Sequence, residues 1–599
     1  SGTTGNNGMK WDGVSAGYGT RTYASGATVT LTQTATAPIV ADGSVCVFAG
    51  YEAYDINDRS TPVNTGAVNA VTLTVDRDWL VVWLYNVAGF VMTVPSSDQG
   101  SIVYAGPEGD ETYANGAVAE IVVLTGHETG DITADPAAGY EFLCWDGDVP
   151  FGMSAQNPIR FTGDAERTIR PVFREAQPAT TRTFTAGSST ARGYWTNPSF
   201  WTPGGIPGPD DDVIINAGEC VASNHIAAKS ITINTDGKLK VGGHGKKIGD
   251  PVNANERSGE MNADIGNAFL PTANELLHET RVVVSGNVTL NDNGQLGIGG
   301  ITPHQRWQDV SIGGNLTLNG TSVMLVSGGE TNATFNHITG TAWLRIGGVF
   351  AINDTAIFVP QSERYTGGSV KVACRRFVLA ADAKVDALRR GYGQYLLREP
   401  TTLAPGGSTV VGAIAAGVYG GTGGKTYGYE YAPIHPGSPR GTYNSGFSSG
   451  GGLIRIHASS MEIAGTLDAS AGDPTGADYG HGGASGGGIW LTAAQTIKYS
   501  GTPSILARGQ RAHYSAAGGG GRIAITLTPD QRIIDQLALT GTHPEVVLKS
   551  IDRTAFTNAF PNVSASADVD RSIDYSASSP DGTFSYTDLI PRGSLIWLR

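Results

Sequence analysis

The sequence predicts an all-β protein: a right-handed parallel β-helix (a solenoid) preceded by two small β repeat modules. Three observations carry that expectation. The chain has 599 residues, of which 84 are glycine, and only 16% are charged, against about 25% in ordinary soluble domains. Thr, Ser, Asn and Val are abundant while long Glu/Lys/Leu/Ala patterns are missing, which suits short strands and many turns. Strand-and-turn units recur along the chain from about residue 190. Self-similarity at a period of roughly 20–40 residues means a stacked array, each unit burying its neighbour's apolar face.

The units are explicit. "VVVSGNVTLNDNGQLGIGG" (282–300), "DVSIGGNLTLNGTSVMLVSGG" (309–329) and "TAWLRIGGVFAINDTAIFVP" (341–360) share strand, glycine corner, strand, turn, strand, and Gly286, Gly314 and Gly347 fall 28 and 33 residues apart. "GGSVKVACRRFVLAADAKVDALRRGYG" (367–393) is a further copy. "GGGLIRIHASSMEIAGTLDASAG" (450–472), "GGGIWLTAAQTIKYSGTPSILARGQ" and "GGGGRIAITL" close the series. In "GGLIRIHA" the alternation of a strand sends Ile454 and Ile456 inward and Arg455 and His457 outward. Small residues fit where coils stack tightly, and glycine supplies the backbone freedom that corners need. No Gly-Lys-Ser/Thr follows the glycine clusters at a strand-to-helix turn, so they are not phosphate loops.

Ahead of these units, residues 100–173 contain "AGYEFLCWDGDVP", "NPIRFT" and "RTIRPVF". This segment resembles the divergent internalin-B-type repeat of bacterial surface proteins, with Phe142, Trp145, Asp146, Gly147 and Asp148 carrying most of the match. A weaker copy, "YASGATVTLT" through "VTLTVDRDWLVVWLYN", has Tyr51 where that family usually has Trp. The resemblance covers about residues 20–174 and implies spacer or stalk modules of an exported protein. The following "GYWTNPSFWTPGGIPGPDDDVIINAG", with Trp195 and Trp201, is similar to the start of many secreted parallel β-helices. More weakly, it is similar to the eight-glycine domain of hyaluronan-binding ectodomains. The Gly/Tyr-rich insertion, with "SGGGLIRI" and "SGGGIWL", resembles segments of large glycine-rich surface proteins.

The expected organisation is one repeat over 1–98, a second over 99–176, a polar linker over 177–194 and the β-helix over 195–530. Inserted loops are expected near 244–281, with a short helix at Ala273–His278, and near 394–449. A β cap or tail over 531–599 should lose the repeat and cover the open strand end.

Candidate sites are of three kinds. Residues 364–398 hold eight Lys/Arg (Arg364, Lys371, Arg375, Arg376, Lys384, Arg389, Arg390 and Arg398) and two acids, Asp382 and Asp386. A local excess of +6 in a chain of net charge −14 suits an acidic polysaccharide; the alternative is a solvated face covering apolar stems. Tyr427, Tyr429 and Tyr431, beside His435, offer sugar-stacking rings or pack the insertion onto the body. Stacking in register should put Arg455 next to Trp490 and His457 next to Thr492. Tyr479, His481 and Arg508 in adjacent loops are the candidates for uronate lyase chemistry, in which a cation neutralises the carboxylate and a base moves the α-proton. A hydrolase would need two flanking carboxylates; Glu462, Asp468, Asp473 and Asp478 are available, with no pairing legible in the sequence, and no nucleophile elbow, zinc helix or P-loop is present.

No cofactor is expected. Asp210, Asp211 and Asp212 are calcium candidates, read first as turn residues. Cys46, Cys144, Cys220 and Cys374 match no metal spacing and read as mostly buried thiols, with one or two disulfides as the alternative. An acidic chain argues against nucleic acid, and no 18-residue apolar run exists to span a membrane. The functional expectation is an exported cell-surface or extracellular protein, structural or adhesive. It would bind extracellular polysaccharide or cell-surface glycans, or self-associate. A polysaccharide lyase and a filament or surface-layer subunit are the alternatives. The polar first residues are no signal peptide, so an export signal would lie outside this stretch.

Overall fold

A computed structural model describes residues 9–11, 14–15 and most of 22–242 apart from short loops. It then describes 280–299, 308–329, 331, 337–363, 366–392, 428–439, 449–471, 484–510, 518–544, 562–564 and 583–589. The chain falls into two compact units, Ser1–Ala176 and Gln177–Arg599.

The first unit is built mainly of antiparallel strands, with Arg167–Glu175 joining Trp79–Pro95 in parallel. Its longest strand, Trp79–Pro95, pairs through its first part with Ser44–Asp55 and through its last part with Val118–Leu124. One sheet therefore runs across the boundary expected at 98/99. Trp145 is fully buried beside Phe142, ring centroids 5.5 Å apart, and its indole N–H donates to Gln156 O at 2.7 Å. In the other half Tyr51 is buried edge-on against Trp83 and donates to Asn64 Oδ1 at 3.2 Å.

The second unit is two large parallel sheets, as the strand repeats require. The chain passes along them in a fixed order. Strands Asp212–Ile215, Ser230–Ile233, Val288–Leu290 and Leu316–Leu318 stack in one limb of the first sheet. His225–Ala228, Thr280–Val284 and Gln308–Ile312 stack in a second limb. Ala342–Ile352 pairs with both limbs and joins them; Val370–Leu379, Leu453–Ile463, Gly488–Tyr499 and Arg522–Leu527 continue the stack. Gly218–Ala222, Gly237–Val241, Gln295–Ile298, Val323–Ser327, Ile357–Gln361, Lys384–Asp386, Thr466–Asp468 and Ser504–Leu506 form the other sheet. The side chains turned inward from both sheets make one continuous apolar core, from Phe184 and Trp195 to Leu527.

Two corners explain the repeat. Between the limbs, a Cβ on Gly313 or Gly347 would strike the backbone oxygen of the residue stacked above, Ser285 or Gly313. Beside it, Asn287 Oδ1 accepts from Asn315 N, and Asn315 Oδ1 from Val349 N, each at 2.8 Å. At the next corner Asn216, Asn234, Asn291, Asn319 and Asn353 form a ladder in which each amide donates to the one before, at 2.8–3.0 Å. Each such bond contributes about 1 kcal/mol, and the carboxamides fix the register of the turns.

Two expectations are corrected here. The segment 177–194 is no linker: Thr181–Phe184 pairs in parallel with Asp212–Ile215, and Arg192–Tyr194 with Gly218–Ala222. Arg182 and Phe184, two residues apart, share the buried face of this strand, where Arg182 pairs with Asp211 and Phe184 joins the apolar core. The antiparallel strand Trp201–Thr202 covers the outer edge, which blunts the exposed end of the sheet. The C-terminal region also keeps the repeat. Asn562–Ser564 and Thr583–Asp588 add in parallel to the two sheets, and ahead of them in the chain comes an amphipathic helix, Gln531–Thr540. Asp530 caps its start and Gly541, at φ 75°, ends it. That pattern, "PDQRIIDQLALTG", carries a cap, an apolar stripe and a terminal glycine. The expected helix at Ala273–His278 lies outside the described residues. Among the described residues no helix is long and apolar enough to cross a membrane.

Candidate functional site

Parallel register brings one side chain from every turn of the first sheet into a single outward row. Along the second limb it runs Arg281, Asp309, Trp343, Lys371, Arg455, Trp490, Ala524, Ser585. The neighbouring row holds Ser311, Arg345, Ala373, His457, Thr492, Thr526 and Thr587. The alignments of Arg455 with Trp490 and of His457 with Thr492 are those expected from the repeats. The expected exposure is not found: Arg455 and Trp490 are each only 4% exposed.

Three pieces of chain cover this part of the row. The turn at 337–339 accepts both Arg455 guanidinium nitrogens, at His337 O and Ile338 O, 2.8 Å each. Segment 428–439 lays Ala432 and Ile434 onto Trp490 and Ala524, with Tyr429 and Tyr431 packed alongside. The helix adds Ile533, Ile534, Leu537 and Ala538 to the same cluster. The outward face thus has an apolar core of its own.

Beneath the cover, cations and imidazoles converge. Lys371 Nζ sits 4.7 Å from the Trp343 ring centre, and the Arg345 guanidinium stacks on the same ring at 5.0 Å. Arg345 also pairs with the buried Asp309. The Arg455 guanidinium lies 5.7 Å from the Trp490 ring. Cation–ring contacts of this kind are worth about 0.5–2 kcal/mol. His337 and His435 pack ring on ring, centroids 4.1 Å apart, and His457 Nδ1 lies 2.7 Å from Thr492 Oγ1.

Burial sets the charge states. It pushes His337 down to about 4, and the Arg455 charge adds to this while a backbone hydrogen bond at Gly367 opposes it. Burial pushes His435 down to about 3, with His337 and Arg455 acting in the same sense. Burial, then Lys371, lowers His457 against the pull of Asp535. Lys371 falls to about 8 through burial and Arg455, again opposed by Asp535. Clustered perturbed groups mark candidate sites.

The other expected site residues are dispersed. Arg390 is buried and donates to Gln361 Oε1 at 2.9 Å; Arg389, at φ 57°, donates to Ala471 O at 3.2 Å. Arg376 pairs with Glu462 at 2.8 Å, Lys384 lies 3.4 Å from both Asp386 and Asp468, and Arg375 is exposed. The described members of the expected basic strip are therefore dispersed: Lys371, Arg375 and Arg376 lie on a strand of the first sheet, Lys384 on the other sheet, and Arg389 and Arg390 in the turn that follows, while Arg364 and Arg398 lie outside the described residues. Arg508 is exposed, with its backbone N–H on Ser470 Oγ. Tyr427, Tyr479 and His481 lie outside the described residues.

The aspartate run is also spent on packing. Asp211, 1% exposed, accepts from Arg182 Nε at 2.7 Å, Thr180 N at 2.9 Å and Gly208 N at 3.0 Å. Arg182 continues to Pro203 O and Gly204 O. Asp212 accepts from Ser230 and Lys229 while Asp210 is exposed, so the three do not converge as a calcium cage. Among the described residues no cluster of three or more His, Cys, Asp or Glu could hold a metal. All four cysteines are free thiols; Cys144, Cys220 and Cys374 are buried, and burial pushes Cys374 up to about 12.

Sequence reasoning missed His337, Trp343 and Asp535 as members of this cluster. Trp343 and Lys371 were open to the alternation rule that placed Arg455, in "AWLRI" and "VKVAC". His337 and Asp535 lie off the repeat and carry no such signal. No protein-family model, curated protein or solved structure matches the chain.

Proposed function

We propose that this chain is an exported surface or extracellular protein whose second unit winds its two sheets into a right-handed parallel β-helix, a stiff body carried on internalin-like modules. Its role is structural or adhesive, holding extracellular polysaccharide or neighbouring copies along the body. One observation carries this reading. The cationic and aromatic residues best suited to chemistry, Lys371, Arg390, Arg455 and Trp490, are bound into packing, while long rows of small polar side chains face outward from stacked strands. Such rows suit repetitive, low-affinity contacts with an extended polymer.

The convergence of Lys371, Arg455 and His457 favours a second reading, a polysaccharide lyase in which the cations hold a uronate carboxylate and an imidazole takes the α-proton. Incubating the purified protein with acidic and neutral polysaccharides separates the two. The structural reading expects retention on at least one glycan, or polymers visible by negative stain, with neither unsaturated products nor new reducing ends. Product formation that Arg508→Ala or His457→Ala abolishes would replace it with the lyase.

A further inference from the structure

We propose that segment 428–439, together with the helix Gln531–Thr540, is an acid-released clasp over the row Trp343–Lys371–Arg455–Trp490. This inference does not depend on the glycan reading, since it concerns only how the row is covered.

The geometry of the clasp is asymmetric. One end is fixed by backbone: Gly437 N donates to Gly451 O at 2.7 Å, Tyr392 N to Gly437 O at 3.1 Å, and Ser438 exchanges bonds with Ser485 at 2.7 and 3.1 Å. A Cβ on Gly437 or Gly450 would collide with neighbouring backbone, so this end is a close lattice of main chain. The other end is held lightly, by Tyr429 OH on Leu539 O at 3.1 Å and Ser585 Oγ on Glu430 O at 3.3 Å. Between the ends, the contacts are apolar (Ala432 and Ile434 on Trp490 and the helix) except at His435.

His435 packs against His337 with the two rings tilted 53° to one another, and the charge acting on both is a cation. Arg455, from the sheet, acts on both imidazoles; beneath the same cover Lys371 lies in the field of Arg455, and Asp535, from the helix, acts on Lys371 and His457. Arg455 is fixed as a cation by the two carbonyls it bonds, one of them the carbonyl of His337 itself. Burial and the Arg455 charge together keep both imidazoles neutral while the clasp is shut. A proton on either ring places a new charge in the field of the Arg455 cation in a poorly hydrated site, where like charges repel by several kcal/mol at an intermediate effective dielectric. The lightly held end carrying Tyr429 is the part that can leave; the glycine lattice is the hinge. Release hydrates His435 and uncovers Arg455 and Trp490.

The sign follows from linkage. The open form binds protons at the ordinary imidazole value near 6.5, and the shut form only near 3–4. As pH falls from about 6.5 towards 4 the open form gains protons that the shut form refuses, so the shut state loses stability across that window. Each imidazole that titrates on opening raises the open fraction by up to about tenfold per pH unit.

Hydrogen exchange on the full chain, corrected for intrinsic rates, tests this between pH 7 and 4.5. Peptides from 428–439 and 531–540 should lose protection by about tenfold or more per pH unit, while peptides from 316–327 in the same unit keep theirs. His435→Gln should flatten the pH slope of the clasp. If that variant folds poorly, His337→Gln removes the facing ring and should flatten it too. Clasp protection that is independent of pH, or that falls only together with 316–327, or that keeps its slope in these variants, overturns the proposal.

Discussion

Two outward rows on one sheet differ sharply in what they carry. The row on the first limb runs Thr232, Thr289, Thr317, Ala351, Val378, Glu462, Lys498, mostly short side chains left half-exposed or exposed. The row on the second limb runs Arg281, Asp309, Trp343, Lys371, Arg455, Trp490, long and charged or aromatic, with Arg281, Asp309, Arg455 and Trp490 buried. The strands are the same, and so is the pleat. What separates the rows is cover. Alternation decides which side chains leave the core, but chain from elsewhere decides whether they meet water. A cation carried outward and then covered must find carbonyls, rings or a carboxylate, and Arg455 and Lys371 do.

Breaking a covered charge should therefore cost much more than breaking a solvated one. The largest effect is expected at the start of the stack, where Asp211→Ala leaves Arg182 buried without its carboxylate; the loss should be about 3–5 kcal/mol by denaturant unfolding. Arg455→Ala strips two carbonyls of their donor and Trp490 of its cation, and should cost about 2–4 kcal/mol. Asn319→Ala interrupts the ladder between Asn291 and Asn353 and should cost about 1–3 kcal/mol. Glu462→Gln, in the solvated row with Arg376, should change stability by no more than about 0.5 kcal/mol. Equal costs for Arg455→Ala and Glu462→Gln would erase the distinction between the rows.

The pH dependence sharpens the comparison on its alkaline side. Lys371 releases its proton near 8 in the folded chain, against an ordinary value of 10.5. Between those values the unfolded chain holds a proton that the folded one has lost, so stability rises with pH across that window. Thermal unfolding at pH 8 and 10 should show this rise in the native chain and a smaller one in Lys371→Met.

Much of the stack was legible. Glycine corners, short β-branched runs and Asn-containing turns are local signals, and they give both parallel pairing and the register that aligns Arg455 with Trp490. The cover was not legible, because its contacts join distant stretches: Tyr429 to Leu539, Glu430 to Ser585, His435 to His337. The basic stretch misled for the same reason. Arg390 and Arg376 are close in sequence, yet the first turns in to Gln361 and the second out to Glu462. The strand at Thr181–Phe184 hides in a polar stretch because Arg182 occupies a position that pairing with Asp211 makes tolerable in the interior.

The stacked body itself is the central claim, and a spin-label distance between Thr232→Cys and Lys498→Cys tests it most directly, with the native cysteines, all free thiols, replaced. Six strand steps separate these positions along the solvated row, so at about 4.8 Å per step the labels should lie about 29 Å apart in a single narrow distribution. Moving the second label to Glu462→Cys should shorten the distance by one step. A broad distribution, or a distance that does not follow the number of strands between the labels, would contradict the account.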